Sequence, residues 1–271
     1  MAGFQRAQKA KTPVQQLSDQ IQQSVFNEDG IVSHFLKNQH AQYEHGSLQG
    51  DRKKPINRLL TWSDKRADGV FLSEDGDDDP MKSAIEQALL DNADNIAEWF
   101  LYGEDKTKAF RFNPDDTQTK IGYGVKRTID PKTGQPKFTE VACYDAIMIL
   151  TKDRKGPVYR FGTMDTGIGM KTIYPDVLAP SSVPTGRDLV PDVLASLAFS
   201  RSKSLDEKQK WLQMAGVKDP SALLKAEQKI PRPVPGNAKP RDKTDYTTRL
   251  LAEAEEIKAK HTRAQAKPDF S

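Results

Sequence analysis

A single cysteine, Cys143, stands in the 271 residues. One thiol permits no internal disulfide and no zinc cluster, so a reducing interior, cytoplasmic or nuclear, is the expected setting. No apolar run approaches the length of about 20 residues that spans a bilayer. The start, Met1-Ala2-Gly3-Phe4-Gln5-Arg6, lacks a secretory hydrophobic segment. Hydrophobic residues make up 36% of the chain, which supports one sizeable core. Charged residues make up 29% and the mean hydropathy is -0.70, so a good part of the length is expected to be solvated arms.

What charge there is follows a pattern that the net value of +3 hides. Residues 1–66 hold 10 Lys+Arg against 6 Asp+Glu, residues 67–200 hold 15 against 22, and residues 201–271 hold 16 against 10. Basic ends around an acidic centre suit either simple solubility or contact with DNA or RNA, where each neutralised phosphate releases counterions.

Periodicity places a helix from Thr12-Pro13 through Val14, Leu17, Ile21 and Val25, and another over Ile31–Leu36. Residues 38–56 read as an exposed arm. Asp79 is a good N-cap and Pro80 suits the first helical position of a helix running to about Tyr102, which Gly103 stops. β signals follow at 109–112, 120–129 and 138–150, with a turn at Asp130-Pro131-Lys132-Thr133-Gly134 and a further strand-like run at Val158-Tyr159-Arg160-Phe161. The stretch 174–187 reads as a mobile flap. Beyond 204 come a helix, the Pro-rich linker 230–236 and a charged helix over 244–266. The expected division is a basic arm over 1–70, an α+β domain over 71–205 and a helical extension over 206–271.

The run Asp165-Thr166-Gly167-Ile168-Gly169-Met170 then stands at a strand end. A carboxylate of fixed direction beside two glycines that let the backbone pass close under a flat ligand makes a plausible floor for a base. The run resembles the glycine box of the GHKL ATPases, the superfamily of gyrase-type topoisomerases, heat-shock chaperones, histidine kinases and mismatch-repair ATPases. Upstream, Leu89-Leu90-Asp91-Asn92-Ala93 is similar to the helix that carries that family's magnesium-binding Asn. The resemblance implies a two-layer α/β sandwich that binds ATP and Mg²⁺. In it Asp165 would read the adenine amine, Gly167 and Gly169 give the base access, and Met170 pack against it. Asn92 would hold Mg²⁺ on the phosphates with Asn95 in support, and Ser200 and Lys203 would form a lid. It also implies a protein partner or a homodimer.

Two parts of that pattern are missing. No second glycine-rich loop follows, since Gly216 stands alone, and the catalytic Glu expected four residues before Asn92 is Ala88. Glu86 lies six residues before Asn92, turned away from it at about 100° per residue. Slow or absent hydrolysis is therefore expected. A degenerate, non-enzymatic interaction module is the other reading. Asp165-Thr166-Gly167 also fits an aspartic-protease dyad, and Asp75, Asp77, Asp79 and Glu86 fit calcium-loop positions except that Pro80 stands where a Gly is needed. His34, His40 and His45 show no metal-ligand pattern and read as solvated. Tyr123, Arg127, Tyr159 and Arg160 read as core packing rather than a single-strand-binding sheet.

Overall fold

The computed structural model describes residues 10–46, 52, 54–61, 64–72, 79–112, 120–153, 157–199, 204–231 and 240–265. The acidic turn 73–78, the expected lid residues Ser200 and Lys203, and most of the Pro-rich linker lie outside the described residues. The fold is α+β. Its helices are α1 (Pro13–Val25), α2 (Ile31–Leu36), α3 (Gln39–His45), α4 (Lys54–Thr61), α5 (Pro80–Asp91), α6 (Ala93–Tyr102), α7 (Val190–Phe199), α8 (Leu205–Met214), α9 (Ser221–Lys229) and α10 (Pro240–Gln265). Its strands are β1 (Ala67–Phe71), β2 (Thr107–Phe112), β3 (Gly122–Ile129), β4 (Pro136–Cys143), β5 (Ala146–Asp153), β6 (Gly167–Pro175) and β7 (Val183–Pro184). They form sheets of order β1-β3-β4-β7 and β2-β5-β6.

The chain divides into two compact units, Met1–Arg52 with Gly69–Tyr123 and Ala142–Val183, and Lys53–Asp68 with Gly124–Val141 and Pro184–Ser271. The boundaries expected near 70 and 205 are not the observed ones, because the chain leaves each core and re-enters it.

The first unit contains a three-stranded antiparallel sheet with α5 packed on one face. Alternation along the strands puts Phe110, Met148, Leu150, Ile168, Met170 and Ile173 in the core, against Ile85 and Leu89 of α5, with α1 and α6 packed on that helix. Thr12 and Gln15 form a reciprocal capping box that starts α1. Asp79 caps α5 as the sequence predicts, accepting from Met81 N and Lys82 N, and α6 ends at Gly103. The expected long helix is nevertheless two. It breaks at Asn92 (φ -109°, ψ 10°), whose side-chain amide donates to Ala88 O at 2.9 Å and Arg111 O at 3.0 Å, tying the helix break to β2.

Other departures have equally local causes. The expected arm at 38–56 contains α3 and the start of α4. The strand expected over 138–150 is two, because Asp145 turns the chain and is held there: its carbonyl accepts from Asp176 N and its carboxylate from the Ser181 hydroxyl. The same contacts, with Ser182 Oγ donating to Asp176 O, fasten the segment after Tyr174 that was expected to be a flap. The run at 158–161 contributes one bridge, Tyr159 to Ile168, rather than a strand. Tyr123 is buried under Arg52 and hydrogen-bonded to Lys120, as a core aromatic.

The second unit is helical around the outer half of the β3–β4 hairpin. Ile56, Leu59, Val125, Phe138, Val193, Leu212, Leu223, Tyr246, Leu250 and Ile257 share its core. The hairpin turn closes as expected, with Asp130 Oδ1 accepting from Lys132 N and Thr133 N and Gly134 at φ +66°. Among the described residues, no helix is long and apolar enough to cross a membrane.

Candidate functional site

The residues expected to bind a nucleotide are distributed along the sheet of the first unit rather than gathered. Asn92 donates to Arg111 O, and Arg111 is in register with Ile147 and, on the next strand, Tyr174. Asp165 lies exposed in the bend before Gly167, which pairs with Asp153. Ile147 and Asp153 are six positions apart on β5, about 20 Å at roughly 3.3 Å per residue. The two side chains therefore belong to opposite ends of the sheet. Asn95 is exposed on α6, and Ala88, at the position of the missing Glu, is fully buried.

The glycines have a structural occupation. A Cβ on Gly167 would meet Val158 Cγ2 at 2.6 Å and Tyr159 O at 2.8 Å, and one on Gly169 would meet Val158 Cγ1 at 3.2 Å. Both sit inside β6, where the segment around Val158 crosses, so the space a base would need is filled by protein. The Met170 side chain is buried, and its carbonyl accepts from the Asn38 side chain.

That Asn38 contact leads to a different constellation. Asn38 caps α3 by accepting from Ala41 N, and its amide donates to Met170 O and, at 3.5 Å, to Lys171 O. The β5–β6 register shifts at Ile149/Leu150, so Lys171 is the extra residue of a bulge. Beyond the bulge, Ile173 and Pro175 face the core while Thr172 and Tyr174 share the opposite face. The α2–α3 corner thus docks on β6 next to Thr172.

Two histidines come with it. His45, at the end of α3, is 8% exposed, and its Nδ1 lies 2.9 Å from Gly69 O. A carbonyl only accepts, so Nδ1 carries a proton. The ring packs on Tyr174 with centroids 5.6 Å apart. His34 precedes Asn38 by four residues, and the turn between them is tight, with Lys37 N donating to His34 O and Asn38 N to Phe35 O. Its ring meets Tyr159 edge-on at 6.2 Å. His34 Nε2 and Thr172 Oγ1 are both buried with no hydrogen-bond partner. An unsatisfied buried polar atom costs about 1–3 kcal/mol, so each calls for a reason.

Tyr174 is half-buried. Burial raises its phenol above the ordinary value of 10.0 and the neighbouring Asp176 carboxylate adds to this, against a lowering by Arg111. The phenol is therefore a hydrogen-bond donor throughout the neutral range. Its contribution to stability is fully present below the unfolded value near 10 and is lost as pH rises through the higher folded value, because the unfolded chain sheds that proton first. Ultraviolet titration of the folded protein, with Tyr174→Phe as reference, should show one phenolate appearing late. A normal titration at this position would contradict the buried placement.

Chemically, two imidazoles, a phenol and a hydroxyl supply a base, an acid and two donors for developing charge. Asn92 spends its amide hydrogens on two carbonyls, and no cluster of three or more His, Cys, Asp or Glu side chains is placed to hold a metal among the described residues.

The histidine site escapes a reading of the sequence because its parts come from α2, α3 and β6, with more than 120 residues between His45 and Tyr174. A local signal exists in Thr172-Ile173-Tyr174, a polar–apolar–polar strand triplet that turns two hydroxyls to one face.

No protein-family model matches this chain, and no curated protein matches it. A solved chain from a CdiA-CT/CdiI complex of Y. kristensenii is 14% identical, over 51% of this chain and 98% of that one, with a TM-score of 0.35. A likeness of that size carries no argument about function.

Proposed function

We propose that the first unit is an acid–base enzyme that cleaves RNA phosphodiesters by transfer to the neighbouring 2′-hydroxyl. The reading is supported by two buried, unpartnered atoms, His34 Nε2 and Thr172 Oγ1, and by the His45–Tyr174 contact, and it requires both imidazoles to reach one phosphate. The reaction needs one base and one acid and no redox partner. His45 Nε2 takes the proton of the 2′-hydroxyl, O2′ bonds to phosphorus, the P–O5′ bond breaks, and protonated His34 gives its proton to O5′. The products are a 2′,3′-cyclic phosphate and a 5′-hydroxyl. Thr172 and Tyr174 donate to the non-bridging oxygens as charge builds on them.

The test uses the full chain with a short RNA in chelator, next to the same oligomer carrying one 2′-deoxy position. Cleavage should yield cyclic phosphate and stop at the deoxy position. Intact RNA, or cleavage that ignores the sugar, would end this reading.

A Mg-ATP site on Asn92 and Asp165 is the rival reading, carried by the wording of the two sequence boxes. It requires saturable binding of ATP with Mg²⁺ that is lost in both Asn92→Ala and Asp165→Asn. Against it stands the approach of Val158 to Gly167, which occupies the space over that glycine.

A further inference from the structure

The neighbouring helices α2 and α3 are held to the first unit in different ways. α2 buries Ile31, Val32 and Phe35 in the core. α3 offers a core little: Ala41 is the aliphatic side chain that it buries, while Gln42 and Glu44 stay partly exposed. Its two ends are fastened by polar groups instead. At the start the Asn38 amide donates to Met170 O and, at 3.5 Å, to Lys171 O. At the end His45 Nδ1 lies 2.9 Å from Gly69 O, and the imidazole ring rests on Tyr174.

These two attachments fix where the helix lies. From Asn38 to His45 it rises about 10 Å at roughly 1.5 Å per residue, and from Lys171 to Tyr174 the strand advances about 10 Å at roughly 3.3 Å per residue. α3 therefore runs along β6, with Thr172 between its points of attachment. Thr172 Oγ1 is buried there with no hydrogen-bond partner, so the docked helix forgoes a bond that water supplies once it lifts. Few buried apolar side chains and ends held by hydrogen bonds mark the low-stability part of a fold, from which lids are drawn.

We infer that α3 is a lid on β6 that swings about the turn at Lys37 and Asn38, with the Asn38 amide as its latch. Docked, it covers Thr172 and holds His45 on Tyr174. Lifted, it uncovers both hydroxyls and withdraws His45. The purpose of the lid rests on the proposed acid–base site: substrate enters the uncovered face, and closure returns His45 to it.

Hydrogen exchange on the full chain reads the opening without any RNA. The reporters are Gln42 N–H, which donates to Asn38 O, and Gly46 N–H, which donates to Gln42 O. In wild type they exchange at least about tenfold faster than the amides of α2. Asn38→Asp keeps the acceptor that caps Ala41 N and loses the amide that reaches Met170 O. It should speed exchange in α3 by about three- to tenfold, the worth of one net hydrogen bond, and leave α2 unchanged. Asn38→Ala, which loses cap and latch together, should exceed it. Equal rates in α2 and α3 of the wild type, no change in Asn38→Asp, or faster exchange in both helices alike would overturn the lid. If α3 opens as described while RNA stays intact, the lid stands and the proposed chemistry fails. If RNA is cleaved while α3 exchanges with the core, the chemistry stands and the lid fails.

Discussion

His34→Ala and His45→Ala should each lower the rate of RNA cleavage by about 10²- to 10⁴-fold, the usual worth of a positioned general acid or base. The two losses should not add in the double variant, because a base without its acid leaves the same step unassisted. His34 is the cleaner test, since its Nε2 makes no hydrogen bond in the fold and its removal costs none. His45 donates to Gly69 O, so His45→Asn is the control that keeps a donor on the side chain. Melting temperatures close to wild type with lost cleavage place the effect in the chemistry. Full activity in His34→Ala would remove that residue from the mechanism.

Arg187→Met should destabilise the second unit by about 3–5 kcal/mol, the range for breaking a buried ion pair by removing one partner. Arg187 reaches Glu140 through Nη1 at 2.7 Å and Asp192 through Nη2 at 2.5 Å, and both carboxylates are almost fully buried. Thr185 also donates to Glu140 at 2.7 Å. Without the guanidinium, two buried carboxylates lose the cation that bridges them. Denaturant unfolding reads the loss, and Glu140→Gln with Asp192→Asn in the same background should recover much of it. A change under 1 kcal/mol would mean that water reaches the carboxylates.

How far the sequence speaks depends on whether a signal is local. The caps at Thr12 and Asp79, the stop at Gly103 and the turn at Asp130–Gly134 need only a few neighbouring residues, and all form where the sequence puts them. The α+β class follows from the same alternation of helical and strand periods. The helix break at Asn92 and the turn at Asp145 were not legible, because each is held by groups far along the chain, Arg111 O and Ser181 respectively. The glycine box shows the same limit at the site. Gly167 and Gly169 are required by the approach of Val158, a packing need that leaves the same letters in the sequence as a ligand floor. His34 and His45 read as solvated only because what covers them, Tyr159 and Tyr174, arrives from beyond residue 150.

The pH dependence of kcat/KM for RNA cleavage tests the central claim most directly, since it reports the free protein's acid and base. With His45 needed neutral and His34 needed protonated, the profile should be a bell, and each histidine variant should lose one limb. A profile without those limbs, or one that keeps both when either histidine is replaced, would contradict the account.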